Sequence, residues 1–217
     1  MDIFMLLDRT GSMQRRWEEA VNAINVYVDE VVKAAGRDLL ADQDRVTLAC
    51  FDRWQTGTTF DILRDSVPLT AWAPLRTDEV TPRGDTPLLD AVLRLAAVAE
   101  AKGSEKTVVV IMTDGEENAS SEVTKDIARA AIERLQKRGW QVVYLGADFD
   151  AFDQAGQVGI GSAATLSMAP GRMSAAMEAI ARKTQAYTQS GVPMAFLDED
   201  RKRSGEAKVK KLRSQQD

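Results

Sequence analysis

The chain is expected to fold as an α/β domain, a mostly parallel sheet with helices on both faces. Three features of the 217-residue sequence carry that expectation. Short apolar runs of strand length alternate with stretches whose apolar residues recur every three or four positions. The run Thr107-Val108-Val109-Val110-Ile111-Met112 is almost wholly β-branched, as in a strand covered on both faces. Clusters of Asp, Thr, Ser and Gly stand where the runs meet the helical stretches, and ligands of open α/β sheets bind beyond the carboxyl ends of strands.

Taken in order, Ile3 to Leu7 reads as the first strand. Gly11 and Ser12 open a helix whose stripe is Trp17, Val21, Ile24, Val28 and Val31, with Gly36 near its end. Val46 to Phe51 is the second strand. Trp54-Gln55-Thr56-Gly57 reads as a turn and Thr58 to Leu63 as a strand folding back, which supplies one antiparallel edge strand. Pro68 to Gly84 holds three prolines and little periodicity, so it reads as a loop. Leu88, Val92, Leu95 and Ala99 mark the next helix, ended by Gly103-Ser104. After the strand at Thr107 to Met112, a helix is expected with Val123, Ile127, Ala131 and Leu135 on one side. Trp140 to Leu145 and, more weakly, Ala163 to Met168 read as strands. Met173, Met177, Ile180 and Tyr187 line a last helix and read as core. Crossovers between the parallel strands are expected to be right-handed.

Composition bounds the chemistry. Hydrophobic residues make up 44% and charged residues 28%, an ordinary globular balance, and no stretch is long and apolar enough to cross a membrane. The apolar run at Ile3 is interrupted by Asp8, which leaves no signal-peptide pattern and points to the cytoplasm. Cys50 is the only cysteine, so no internal disulfide exists, and its apolar surroundings read as core. With no histidine, His-based hydrolases and His-ligated zinc sites are excluded. A net charge of -5 argues against a general nucleic-acid binder.

Three polar clusters can meet at one point near the centre of the sheet edge: Asp8-Arg9-Thr10-Gly11-Ser12, Gly84-Asp85-Thr86-Pro87 and Asp114-Gly115-Glu116-Glu117-Asn118. Asp8, Thr10, Ser12, Thr86 and Asp114 offer only hard oxygen donors, two carboxylates and three hydroxyls. That set suits Mg²⁺, or Mn²⁺ or Ca²⁺, better than a soft metal. Each fragment alone has a plain alternative, since Asp before Ser or Thr often caps a helix and Asp-Gly often makes a turn. Their joint occurrence on the expected binding edge gives the signal its weight.

Here the sequence resembles the von Willebrand factor type A (vWA) domains that carry a metal-ion-dependent adhesion site (MIDAS). The family motif is Asp-x-Ser-x-Ser after the first strand, a Thr in a Gly-x-Thr loop and an Asp in Thr-Asp-Gly. Asp8 and Ser12 match the first element, with Thr10 in place of the usual Ser. Thr86 matches the second and Asp114, in Thr113-Asp114-Gly115, the third. The resemblance covers residues 1–190 and leaves 191–217 as a C-terminal extension with a basic end. It implies a Rossmann-like, doubly wound sheet of six strands in the order 3-2-1-4-5-6, the third antiparallel. It further implies a non-catalytic protein-interaction module whose metal takes an acidic side chain from a partner protein. Bacterial and phage relatives of this kind often stand alone or work beside ATPases, chelatases or stress-response proteins.

The neighbours of the site have two readings each. Asp85, Glu116 and Glu117 can tune the metal or be solvated loop acids. Trp54, at the hairpin tip, can contact a partner or pack on the following loop. Arg83-Gly84-Asp85 spells an integrin-binding tripeptide, but the threonine loop already accounts for it. Arg201, Lys202, Arg203, Lys208, Lys210, Lys211 and Arg213 crowd the C-terminal end, in a short exposed helix from Ser204 or a solvated tail. They would alternatively dock an acidic partner or nucleic acid. A rival class is a metal-dependent phosphohydrolase of haloacid-dehalogenase type, faintly similar through Asp8. Such enzymes need an acid–base Asp where Thr10 stands.

Overall fold

The computed structural model describes residues 1–36, 43–55, 57–147 and 151–213, leaving aside the side chains of 210–213. Strand β1 (Asp2–Asp8) is buried along its whole length. It pairs in parallel with β2 (Arg45–Trp54) on one side and β4 (Thr107–Thr113) on the other. β2 pairs antiparallel with β3 (Gly57–Pro68), while β4, β5 (Gln141–Ala147) and β6 (Thr165–Met168) continue in parallel. The sheet therefore has six strands in the order β3-β2-β1-β4-β5-β6, as the resemblance implies.

Alternation along β1 divides the core. Ile3, Met5 and Leu7 face helices α1 (Trp17–Ala35) and α5 (Met173–Ser190). Phe4 and Leu6 face α2 (Leu88–Lys102), α3 (Lys125–Lys137) and α4 (Ala151–Gln157). Both faces are thus sealed by apolar contacts, each fully buried Val, Leu or Ile contributing about 1.5–3 kcal/mol. The expected stripes of α1, α2 and α5 are all buried, including Met173, Met177, Ile180 and Tyr187. Cys50 is buried too.

Several expectations need correction. The chain does not enter α1 directly after Gly11; a 3-10 stretch, Gly11–Arg16, comes first. The β2–β3 pair is longer than its apolar run, because β3 continues to Pro68 and Leu63 and Val67 pack on the core. The tip of that hairpin includes Thr56, which lies outside the described residues. Ile127 is 46% exposed: Val123, Ala131 and Leu135 are buried as expected, but Ala128 and Ile132 complete the buried face of α3 in place of Ile127. Helix α4 was not expected, since Ala151, Ala155 and Gly156 give little periodic apolar signal.

The basic end of the C-terminal extension is helical, as one of its two readings has it, and part of it packs on the body rather than lying in solvent. Met194 and Phe196 are buried, while Val192 and Leu197 are exposed. Two short helices follow, α6 (Asp198–Ser204) and α7 (Glu206–Arg213), joined by Gly205 at φ +78°. Ser204 and Val209 are buried, and Ser204 O accepts from Ala169 N just beyond β6. Arg201 stacks over Phe152 and donates to the carbonyls of Ser162 and Thr165 and to Glu206. The side chains of Lys210, Lys211 and Arg213 lie outside the described residues. Among the described residues no helix is long and apolar enough to cross a membrane.

Candidate functional site

The parallel register places Asp8 at the carboxyl end of β1, level with Phe51 of β2, and Thr113 at the end of β4. Asp8 is fully buried. Its Oδ1 accepts from Thr10 N at 2.7 Å and its Oδ2 from Thr113 Oγ1 at 2.5 Å. Gly115 N donates back to Thr113 Oγ1 at 3.1 Å, so one threonine fixes both the first carboxylate and the turn after Asp114.

The other expected residues close a ring of oxygens beside it. Ser12 Oγ donates to Asp114 Oδ1 at 2.6 Å, Thr10 Oγ1 and Ser12 Oγ lie 3.0 Å apart, and Thr86 Oγ1 donates to Thr10 Oγ1 at 3.3 Å. All five predicted donors therefore come together from three loops. Backbone staples hold those loops in place. Gly11 N donates to Gly84 O at 3.0 Å, Arg83 N to Arg9 O at 2.8 Å, and Asn118 exchanges two bonds with Thr86. Gly84 must be glycine: its φ is +67°, and an added Cβ would lie 1.9 Å from Arg53 O.

Electrostatics favour a cation in this place. Burial pushes Asp8 up to about 7, against the hydrogen bonds from Thr113 and Thr10, and nearby Asp114 adds to the rise. Burial raises Asp114 as well, opposed by Ser12 and Arg16, whose Nε is 3.7 Å from Asp114 Oδ2. Two buried acids that resist ionisation are relieved by a nearby dication. A Cβ on Gly115 would come within 3.0 Å of Thr86 Oγ1 and 3.5 Å of Ser12 Oγ, so the ring's rim tolerates no side chain there. Among the described residues no cluster of three His, Cys, Asp or Glu exists. Any metal here would depend on the hydroxyls, and the donor set fits a hard divalent ion.

The neighbours sort differently from one another. Glu116 and Asp85 are exposed. Glu117 is no solvated acid: its carboxylate accepts from Leu89 N, Ala119 N, Ser120 N and Ser120 Oγ at 2.7–2.9 Å. It thereby caps α2 and shapes the turn beyond Asp114. Trp54 is 47% exposed, with the Arg83 guanidinium 5.7 Å over its ring.

Sequence reasoning missed three supports. Arg9 is buried and pairs with Asp52 at 2.8 Å and Asp61 at 2.6 Å, and Arg83 shares Asp52 at 2.8 Å. Asp52 sits one residue past the apolar run of β2, on the binding edge, and its position there was a readable signal. Asp90 is fully buried in the first turn of α2. It accepts from Thr58 Oγ1 at 2.7 Å and from Ser121, Glu122 and Val123 N at 2.9–3.2 Å. An acid inside an apolar helical stripe is the one hint of it in the sequence. Thr113 reads in the sequence only as the residue before Asp114 in the motif, and its hydrogen bonds to Asp8 and from Gly115 reveal its role.

A doubly wound sheet of this order, with a carboxylate–hydroxyl ring at the edge where the strands end, defines a class of domains. Solved structures identify the fold as that of a von Willebrand factor type A domain. The vWF domain of the type V pili tip protein Mfa5 from Porphyromonas gingivalis is similar with TM-score 0.64 and 12% identity, over 91% of this chain and 98% of that one. A von Willebrand factor type A protein from Catenulispora acidiphila gives 0.59 and 17%, over 85% of this chain and 42% of the other. Proximal thread matrix protein 1 from the mussel byssus, with a zinc-occupied MIDAS motif, gives 0.53 and 16%, over 84% and 47%. The chain thus spans about half the length of the mussel protein. No protein-family model matches the sequence, and no curated protein does.

Proposed function

We propose that the protein is a non-catalytic interaction module that binds a carboxylate of a partner protein through a divalent metal, Mg²⁺ or a similar hard ion. The residues that would hold the metal are Asp8, Thr10, Ser12, Thr86 and Asp114. The carrying observation is the convergence of these five oxygen-bearing side chains at the carboxyl edge of the sheet, four of them linked in one hydrogen-bonded chain with Asp8 held beside it through Thr10. A metal held there supplies an electrophilic centre for an anionic ligand, and the protein surrounds it with fixed loops.

Two further observations support this reading. A structural neighbour of the same fold holds zinc in the corresponding kind of motif. The position where a phosphohydrolase of the rival class needs an acid carries Thr10, whose hydroxyl is engaged with Ser12 and Thr86. Docking of nucleic acid by the C-terminal end is disfavoured because Arg201 is consumed by internal bonds. A cytoplasmic setting belongs to the same reading, supported by the absence of a second cysteine. An ATPase-associated complex is one setting in which such a partner would be found.

Thermal unfolding with Mg²⁺ or Mn²⁺, and with chelator, tests the reading. A ligand at 100 times its Kd stabilises the folded state by about 2.7 kcal/mol. For a domain of this size that is a rise of about 5–10 °C. Asp114→Ala is expected to abolish the rise. A wild-type protein indifferent to millimolar metal would sink the proposal. Capture of a partner that persists in chelator would remove the metal from its recognition.

A further inference from the structure

Beside the oxygen ring, a guanidinium that shares its only carboxylate lies against an exposed indole. Arg83 donates from Nε to Asp52 Oδ2 at 2.8 Å, the same oxygen that Arg9 Nε holds at 2.8 Å. Arg9 has Asp61 in addition, whereas the Arg83 guanidinium makes no other ion pair or hydrogen bond among the described residues. Its side chain is 39% exposed, and it lies against Trp54, itself 47% exposed. Arg53 donates to Ala119 O and forms no ion pair among the described residues. The Arg53–Asp85 bridge sets Arg53 against the residue before Thr86. Arg83 lies three positions before Thr86, so their Cα atoms are at most about 10 Å apart. Arg83 and Trp54 thus form a platform stapled, through the backbone of Arg53, to the loop that carries Thr86 and, through Gly84 O, to the loop that carries Thr10 and Ser12.

We infer that the ligand is an acidic peptide segment read through two carboxylates: one at the oxygen ring, and a second two to four residues away on Arg83, with the intervening chain lying over Trp54. This rests on the metal-dependent reading above and adds what selects the partner. A planar guanidinium with open donors takes a carboxylate in a fixed orientation, which a lone metal cannot enforce. The occupant is a peptide with spaced acids and not a continuous polyanion, because exposed Asp85 and Glu116 beside the ring would repel a nucleic-acid backbone. At about 3.3 Å per residue, an extended peptide spans the distance in two to four residues.

The test uses the full chain in Mg²⁺ and acetylated, amidated Gly/Ser decapeptides. These carry one Glu, or two Glu separated by one to five positions. Binding is followed by NMR titration of the tryptophan indole signals, with Trp54→Phe assigning the rim signal. Single-Glu peptides are expected to bind in Mg²⁺ and not in chelator. One or two of the spacings are expected to bind about threefold to fivefold tighter, the range of a partly exposed ion pair, and to shift the Trp54 signal. Replacing the second Glu by Gln removes that gain in the wild-type protein. Arg83→Gln removes it while leaving single-Glu binding within about twofold. Because Arg83 also touches buried Asp52, Arg83→Lys serves as a second variant: it keeps the charge beside Asp52, lacks the planar fork and is expected to reduce the gain. Metal-dependent single-Glu binding with no gain at any spacing, or a gain untouched by both variants, overturns this inference alone. Absence of metal-dependent binding by every peptide overturns both it and the proposed function.

Discussion

Asp90 offers the sharpest test of how the site is held together. It has no exposed surface, and both carboxylate oxygens are used twice. Oδ1 takes the amides of Glu122 and Val123; Oδ2 takes the Thr58 hydroxyl and the amide of Ser121. One side chain therefore ties α2 to β3 and to the loop that follows Asp114. Asp90→Ala strands these donors. Ser121 and Glu122 are exposed and can be rehydrated, so their loss costs little. The buried Val123 amide and the Thr58 hydroxyl bear the main penalty, about 1–3 kcal/mol each. Removing a negative charge from the first turn of α2 adds about 0.3–1 kcal/mol. The sum is about 2–7 kcal/mol.

Asp90→Asn separates charge from shape. Its Oδ1 can still accept from Val123 and Glu122, and its amide can donate to Thr58 if that hydroxyl reverses. Only the contact with the exposed Ser121 amide turns repulsive, so the cost is about 1–2 kcal/mol. Urea unfolding of the three proteins in chelator gives the comparison directly. Equal losses for Ala and Asn, or a loss below about 1 kcal/mol for Ala, would refute the assignment of Asp90 as the anchor. The alanine variant is also expected to show a smaller metal-induced rise in Tm, because Asn118, which exchanges bonds with Thr86, lies in the loosened loop.

Three other outcomes are expected. Gly84→Ala, at φ +67° with its Cβ 1.9 Å from Arg53 O, is expected to lower stability by more than about 2 kcal/mol in thermal or chemical unfolding; a neutral result would mean the threonine loop is not held as described. Glu79, hydrogen-bonded by Arg64 at 2.8 and 2.9 Å, has its pKa lowered from the usual 4.5 chiefly by that bond. Its contribution, under about 1 kcal/mol because the pair is partly exposed, is present above the unfolded pKa and lost as pH falls through the folded one. Glu79→Gln is therefore expected to be less stable than wild type at pH ~6 and equal to it once the native carboxylate is protonated; a difference that persists in strong acid would contradict the assignment. Finally, circular dichroism in chelator is expected to show an intact fold, since the site's oxygens are linked to one another by hydrogen bonds; unfolding on chelation would make the metal a structural requirement instead.

The fold was legible because its strands are read on both faces. Val108 to Ile111 are all buried, so a continuous apolar run meant a covered strand. The helices α1, α2 and α5 were legible for the related reason that each buries one stripe. Where a face is lined by small residues the signal fades: α3 presents Ala128 and Ala131, α4 presents Ala151 and Ala155, and Ile127 misled by standing one position off the buried face. The five oxygen donors were legible because each sits within two residues of a glycine or at a strand end. What joins them was not. Glu117 and Asp90 act through backbone amides many positions away, and no local pattern distinguishes a carboxylate that caps such amides from one in solvent. The C-terminal residues misled for an opposite reason: their charge suggested a tail, while Ser204, Gly205 and Val209 provide just enough small or apolar surface to pack beside β6.

The choice of hydroxyls over histidine or cysteine gives the site a particular kind of economy. A hydroxyl both donates and accepts, so Thr10, Ser12 and Thr86 can satisfy one another and Asp114 when no cation is near. Their lone pairs become available for a cation once the protons swing away, with no change of protonation state. Only the carboxylates carry a charge penalty, and Asp8, fully buried and hydrogen-bonded by Thr113 and Thr10, carries most of it. A site built this way can lose its ion without exposing unpaired buried groups, and can regain it without refolding. The staples of the loops, from Gly11 to Gly84 and from Asn118 to Thr86, use none of the ring oxygens, so under the proposed metal reading they would hold with or without an ion. Recognition of a partner then needs no large rearrangement of these loops, and the selectivity falls to whatever stands on the rim, where Arg83, Trp54 and Arg53 are held by the same staples.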